Sequence, residues 1–361
     1  MPDWSKPMEQ SYEYYTVEPT TLADIKRLDN VKQATFSRDA ESQTLGSATI
    51  DVVSSFGESY IRGYLVTRQN GVTEKFALGT VLSQTPSSSF NGKVMDVSMD
   101  CYTPLIELKE KYMPLGYTIR KGVYIMDAAY NLIRENCRVP VSKVDHIYDT
   151  EGNDISPKLQ YDFVANTDDT CLSFVISLID NAKYELGLGE KGDILFLPKQ
   201  ELESLQPVWT FTDDNTSILS PDITVNHDLY GIPNVVEVIY SYGSEYKEAV
   251  AINDDPNSPT STINRGRKIP YRVTDPSLYG YVTQDQLDAY AERLLKELST
   301  LEYSVSFTHA YCPVRIGDCV RLNYTRAGIN NIKAKVINQN IKAEPGCQVS
   351  TKAVFKSKLW R

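Results

Sequence analysis

SILSPDITVNHDLYGIPNVVEVIYSY, residues 217–242, is the stretch whose reading decides the fold. It follows the polar Asp213-Asp214-Asn215, crosses a polar segment around Asn226-His227-Asp228, and passes through Gly231-Ile232-Pro233-Asn234. The run Val235-Val236-Glu237-Val238-Ile239-Tyr240 that comes next is β-branched and aromatic, and Gly243 closes it, so it reads as a strand. Proline cannot donate to a ladder, so Pro233 marks the first place where that strand can begin.

The β character extends toward the N-terminus. Residues 1–11 are polar and read as a loose arm or one docked on a neighbour. Short strands are expected at 14–17, 34–37 and 47–53, the last with Ala48, Ile50 and Val52 on one face. Strands 60–68 and 72–82 flank Asn70-Gly71, a tight-hairpin dipeptide because both central residues of that turn need positive φ. Residues 83–89 are Ser-rich with Pro86 and read as a break, followed by one more strand at 93–99. Strands at this spacing describe a small sandwich or barrel.

At 100–205 the periodicity changes to that of a mixed α+β unit. A short helix is predicted over 100–113, with Pro104 in its first turn. A longer one spans 123–136, with Ile125, Met126, Ala129, Leu132 and Ile133 on one stripe. A third covers 169–182, with Asp168, Asp169 or Thr170 as N-cap and Leu172, Val175, Ile176 and Ile179 as its apolar face. Beyond 242 the reading is a long, polar, proline-rich connection over 243–280, and connections of that length are functional or mobile. A helix over 283–300 comes next, with Thr283 and Gln286 spaced as a capping box and Leu287, Ala291, Leu294, Leu295 and Leu298 inward. Strands return at 302–310, 318–324 and 334–341.

Composition narrows the function classes. A chain of 361 residues calls for two or three domains, and 24 Tyr among many Val, Ile and Thr favours sheet. No apolar run approaches the ~20 residues of a membrane span, and MPDWSKPMEQ carries no signal-peptide core. The expectation is a protein that stays where it is made or leaves as part of a larger particle. Cys101, Cys137, Cys171, Cys312, Cys319 and Cys347 stand singly, without a CxxC pair, which predicts isolated buried thiols. A net charge of -10 argues against holding a phosphate backbone, so DNA should slide past rather than stick.

No motif assembles a reaction centre. Residues 187–192, Gly-Leu-Gly-Glu-Lys-Gly, match GxGxxG, but a dinucleotide loop opens a helix and Ile194-Leu195-Phe196-Leu197-Pro198 reads as a strand, which favours a hairpin turn. His146, His227 and His309 lie far apart and read as surface or interface histidines. The pairs Asp168-Asp169, Asp213-Asp214 and Asp254-Asp255 read as solvated turns or helix starts. Residues 149–154 have only a superficial likeness to a calcium loop, because the Gly comes early and no Glu closes it. The expectation is a protein without catalytic residues, metal or cofactor. Surface for assembly is more visible: Arg265 and Arg267 in the long connection, and Phe355 and Trp360 in a basic C-terminal tail that is either a docking element or a frayed end.

The chain resembles the baseplate hub, or tail-tip hub, proteins of tailed bacteriophages, also found in phage-tail-like particles. The likeness runs from about Tyr12 to Val349 in order and texture. Its markers are Leu22-Ala23-Asp24-Ile25, the regions 104–136 and 169–198, Ser217-Ile218-Leu219-Ser220-Pro221, Ile232-Pro233-Asn234-Val235-Val236, the helix from Thr283, and Ile316-Gly317-Asp318-Cys319-Val320. The resemblance implies an α+β, mainly β fold with two tail-tube-like β-barrel domains and a packed helix, separated by a mixed α+β insert. The corresponding boundaries are an N-terminal arm 1–11, a first barrel 12–99, an insert 100–205, a second barrel 206–345 and a tail 346–361.

It implies a structural virion protein: a homotrimer joining a sixfold tail tube to a threefold tip or spike and lining the channel for tape measure protein and DNA. The implied partners are a second and third copy, a tail tube or distal tail protein, a tip or spike protein, and the tape measure protein, with DNA only in transit. The implied place is the virion tail tip or baseplate, after assembly in the bacterial host cytoplasm. The competing readings are a cell-wall glycan hydrolase using acids of the insert and a carbohydrate-binding module of a phage tail.

Overall fold

Asn70 and Gly71 take φ of 51° and 80°, so the dipeptide turns the chain back and Gln69 pairs with Val72. In the computed structural model, which describes residues 2–54, 57–90, 92–93, 95–227, 231–242, 245–274 and 282–358, this hairpin lies within seven N-terminal strands. They are β1 (Glu9–Val17), β2 (Asp24–Arg27), β3 (Val31–Asp39), β4 (Gly46–Val52), β5 (Tyr60–Gln69), β6 (Val72–Phe90) and β7 (Met95–Tyr102). Glycines make room for the core here. A Cβ on Gly63 would lie 2.4 Å from the Phe36 ring and one on Gly79 2.9 Å from it, so Phe36 lies across β5 and β6 where neither strand has a side chain.

Two expectations for this region are corrected. Residues 83–89 do not break the chain: β6 runs on through them and pairs with β7. Pro86 is tolerated because β5 pairing ends at Leu82, which leaves one side of β6 as an edge that needs no donor. The arm at residues 2–8 is docked on its own chain. Trp4 is buried edge-on against Phe76 and Tyr311, with ring centroids 5.0 and 5.3 Å away, and Gln69 exchanges bonds with Asp3.

The next elements are α1 (Ile106–Lys109), β8 (Thr118–Ile119), α2 (Ile125–Asn136), β9 (Phe163–Val164), α3 (Cys171–Asp180), β10 (Tyr184–Leu188) and β11 (Ile194–Pro198). The helix expected at 100–113 shrinks to the single turn α1, because Val97, Met99 and Cys101 are buried with period two and hold the chain in β7 as far as Tyr102. The other two helices stand as read. The α2 stripe of Ile125, Met126, Ala129, Leu132 and Ile133 is buried, and Thr170 caps α3 in a capping box with Ser173. Their core also takes in Val17, Tyr60 and Leu82, so these helices are seated on the N-terminal strands. Removing a side chain such as Leu172 or Phe174 from water stabilises by about 1.5–3 kcal/mol.

The chain closes with β12 (Trp209–Thr212), β13 (Leu219–His227), β14 (Val235–Tyr242), β15 (Glu245–Ile252), α4 (Thr262–Arg265), β16 (Pro270–Val273), α5 (Gln284–Leu298), β17 (Thr300–Ala310), β18 (Cys319–Tyr324), β19 (Ile329–Lys342) and β20 (Gln348–Lys358). Strands from both ends of the chain share one sheet, in the order β13-β17-β20-β19-β3-β4-β7-β6-β5-β1-β2, with β18 beside β19 and β12 parallel to β18. Strands β19 and β3 meet antiparallel, Ile341 opposite Phe36. The fold is α+β and mainly β. By contacts the chain divides into residues 1–223 with 307–353, and residues 224–306 with 354–361.

Within the second of these units, β15, β14 and β16 form a three-stranded sheet, and α5 lays Leu287, Ala291 and Leu295 on Val236, Val238, Ala249 and Ala251. Thr283 and Gln286 form the capping box. The long connection expected over 243–280 is therefore largely structured: it holds β15, α4 and β16, and residues 243–244 and 275–280 lie outside the described residues. Buried polar side chains order it. Asn234 donates to the carbonyls of Thr260 (3.2 Å) and Arg267 (2.9 Å) and accepts from the Ile269 amide at 2.6 Å. Asn253 donates to Ser258, whose hydroxyl lies 3.1 Å from that of Thr260. Each buried group finds a partner, which is what allows so polar a segment to leave water.

Candidate assembly surface and the residues that support it

The hairpin reading of residues 187–192 holds. Strands β10 and β11 pair from Leu188 opposite Ile194 to Tyr184 opposite Pro198, and the Gly189 amide donates to the Asp193 carbonyl at 2.8 Å. Gly192 has φ of 95°, and a Cβ on it would lie 2.7 Å from Thr80. The turn thus packs backbone-first on β6. Arg62, fully buried in β5, holds it there: Nη2 donates to the Lys191 carbonyl at 2.7 Å, Nε to Thr80, and Nη1 to Asp24 at 2.7 Å. A buried guanidinium demands such partners, and Arg62 joins β2, β5, β6 and the turn.

Arg38 has a parallel role on β3. Its guanidinium donates to the carbonyls of Leu78 (2.8 Å) and Val314 (3.4 Å) and to Gln339 (3.1 Å), and burial lowers its pKa to about 10. It opens on a cleft of about 630 Å³ bounded by β3, β6, α3 and the β10–β11 hairpin. Phe36, Leu78, Ile179 and Leu197 line the cleft, and the ion pairs Lys199 with Asp180 and Lys335 with Glu185 stand beside it. Neither arginine was singled out by sequence reading. The available signal was an arginine inside a strand pattern next to a glycine, as in Arg62-Gly63.

The histidines separate by environment. His309 is buried against Phe211 and Phe307, its Nδ1 donates to the Ala310 carbonyl at 2.7 Å, and burial pushes its pKa down to about 4, so it is neutral at pH 7. It is a core histidine, a correction to the surface reading. His146 lies part-exposed between Asp154 and Asp127, which raise its pKa. The side chain of His227 lies outside the described residues.

Members of the paired acids are held in hydrogen bonds. Asp169 accepts from the Asn166 amide at the start of α3, Asp214 from the Thr216 amide and Asp255 from the Asn257 amide, while Asp213 accepts from the Thr325 hydroxyl and the Arg326 amide. In the loop of residues 149–154, Asp149 accepts from the Glu151 and Asn153 amides. All six cysteines are buried thiols, and burial pushes Cys101 and Cys312 up to about 12. Among the described residues no group of three or more His, Cys, Asp and Glu is placed to hold a metal ion, and no helix is long and apolar enough to cross a membrane.

The residues expected to make assembly contacts lie on separate elements. Arg265, half-buried in α4, donates from Nη1 to the Ile232 carbonyl at 3.0 Å. Arg267 is exposed, and its carbonyl is held by Asn234. Phe355 lies on β20, stacked on Tyr303 at 5.1 Å and 10°. Trp360 lies outside the described residues. A larger exposed apolar set, unmarked in the sequence reading, lies on the two-stranded ribbons of residues 112–164: Tyr112, Leu115, Tyr161 and Val164 beside the β8–β9 pair, and Ile147, Tyr148 and Ile155 on a hairpin. Exposed apolar groups concentrated in this way mark surfaces that meet other molecules.

The architecture has counterparts among solved structures. A tail protein from Neisseria meningitidis MC58 superposes with a TM-score of 0.63 at 12% identity, over 96% of this chain and 96% of that one. The fold is that of phage tail proteins. The 43 kDa tail protein of prophage MuSo2 from Shewanella oneidensis matches with a TM-score of 0.60 at 9% identity, over 96% of this chain and 98% of that one. A chain of the Francisella PdpA-VgrG complex matches at 0.55 and 8% identity, over 98% of this chain and 53% of that longer one. No protein-family model and no curated protein sequence matches the chain. The tail-protein fold thus persists here at identities where single residues cannot be carried across.

Proposed function

We propose that the chain is a structural, non-catalytic component of a phage tail: a homotrimeric baseplate or tail-tip hub that joins a sixfold tail tube to a threefold tip or spike. The observation that carries this reading is the end-to-end match of fold and length to two tail proteins. A protein that shares the whole architecture, with neither chain left over, is a candidate for the same kind of part. The match within a PdpA-VgrG complex supports a tip or spike partner. In this reading one end of the trimer receives a tail tube or distal tail protein, the channel passes tape measure protein and DNA, and the net charge of -10 keeps DNA from adhering. The protein is assembled in the host cytoplasm and ends in the virion tail.

The test is the mass of the purified protein by light scattering across a concentration series, alone and with tail tube protein. A species of three times 40.7 kDa that caps tubes is the expected result. A monomer at every concentration, with tubes left uncapped, overturns the hub. Cleavage of purified cell wall at a rate abolished by substituting an acid of residues 100–205 overturns the non-catalytic reading.

A further inference from the structure

His146 joins three pieces of chain through one ring. Its Nδ1 lies 2.6 Å from Asp154 Oδ2, and its Nε2 lies 2.9 Å from Asp127 Oδ2 on α2. Two carboxylates on opposite edges of an imidazole require two N–H donors, and only the imidazolium has both. The other charged and titratable groups around the ring are accounted for. Lys143 pairs with Asp127 at 3.1 Å, and Asp145 and, from β10, Tyr184 line the same small pocket. The Tyr124 ring centroid lies 4.5 Å from that of His146, its hydroxyl helps to lower the Asp154 pKa, and Lys158 lies over the Tyr124 ring at 4.4 Å. Asp154 also accepts from the Ser156 amide, and Ser156 Oγ from the Ile147 amide.

What the ring fixes is the hairpin of residues 147–155. It is short, with Tyr148 opposite Asp154 and the Ile155 amide on the Ile147 carbonyl at 2.9 Å, and an isolated pair of strands this short has little stability of its own. It displays Ile147, Tyr148 and Ile155 at 45, 61 and 57% exposure. We infer that His146 is a proton-controlled latch, which holds this apolar hairpin against α2 while the ring carries both protons and releases it when one is lost.

Loss of one proton leaves a lone pair facing a carboxylate, so one of the two contacts turns from attraction to repulsion. The carboxylates of Asp154 and Asp127 raise the His146 pKa, so the latch is closed below that raised value and opens as pH rises through it. Both carboxylates are themselves held below the usual range, which keeps the latch charged well into acid. The hairpin is therefore presented in one fixed shape over the lower range and loosened on the alkaline side.

The experiment uses the full chain with ring-labelled histidine. The His146 resonance is followed by NMR from pH 5 to 9.5, and amide exchange of residues 147–155 is measured over the same range after correction for intrinsic rates. The expected result is a midpoint above 6.5 and at least a tenfold loss of hairpin protection with that same midpoint, while His309 stays neutral throughout. Asp127→Asn should lower the midpoint and carry the protection loss down with it. In His146→Gln the protection should not depend on pH. Protection that stays level while His146 titrates, or a midpoint at or below 6.5, overturns the latch. Asp127→Asn decides the matter if His146→Gln does not fold.

Discussion

The insert around α2 and α3 and the connection over residues 253–269, which Asn234 ties down, are ordered by opposite means. In the insert, Ala129, Ile133, Leu172, Phe174, Val175 and Leu178 are buried almost completely, and apolar area removed from water supplies the stability. In the other segment, Asn234, Asn253, Ser258, Thr260 and Ser261 are as deeply buried, and hydrogen bonds supply the order. An apolar core tolerates imperfect fit and loses stability in proportion to volume. A polar lock works only when each member is satisfied, so it adds specificity to the fold more than net stability.

The largest break in that comparison should come from Phe174→Ala. Phe174 is packed by Phe163 and Tyr117 at 4.9 and 5.6 Å, and truncation leaves a cavity between α3 and the β8–β9 ribbon. The expected loss is about 3–5 kcal/mol in urea unfolding, with amide protection lost in α2 and α3. A loss below about 1 kcal/mol would mean that the insert is not held by its core.

Asn234→Ala should cost less, about 1–3 kcal/mol, because it leaves two carbonyls and one amide without their partner. Asn234→Asp should cost at least as much, since a carboxylate offers no donor to Thr260 and Arg267. The polar lock predicts that protection falls across residues 253–269 and stays unchanged in α3. Uniform loss throughout the chain would show that the two regions are not distinct.

The same contrast explains what could be read from sequence. The α2, α3 and α5 stripes were legible because burial on one face of a helix imposes a period of 3.6, and Asn70-Gly71 was legible because positive φ narrows the choice of residues. Residues 253–269 were not, because Asn, Ser and Thr have the same letters in a solvated loop as in a buried network, and only partners 26 to 35 residues away distinguish the two. Strand β7 was overlooked past Met99 because Asp100 and Pro104 suggested a helix start, while the period-two burial of Val97, Met99 and Cys101 decided the outcome. Of the site candidates, Phe355 emerged as a half-buried stacked ring, and the exposed hairpin of Ile147 and Tyr148 gave no sequence signal because its apolar residues do not repeat.

The smallest effects sharpen the comparison most. The insert contains, and the β14–β15 pair packs against, a helix that begins with the same device: Thr170 accepts from the Ser173 amide on α3, and Thr283 from the Gln286 amide on α5, each with the reciprocal side-chain bond. Because the caps are alike, Thr170→Ala and Thr283→Ala should each remove about 1 kcal/mol of local stability. Where that loss is felt depends on how the body of each helix is held. Helix α3 continues into a stripe buried on nearly every turn, so its cost should appear only as a uniform drop in the protection of the whole insert core. Helix α5 buries three residues on one face, so its first turn should fray by itself, with exchange quickening at Gln286 and Leu287 while Leu295 stays protected. Amide exchange on the two variants separates these outcomes, and fraying confined to the first turn of α3 would remove the distinction drawn between a helix buried on nearly every turn and one buried along a single face.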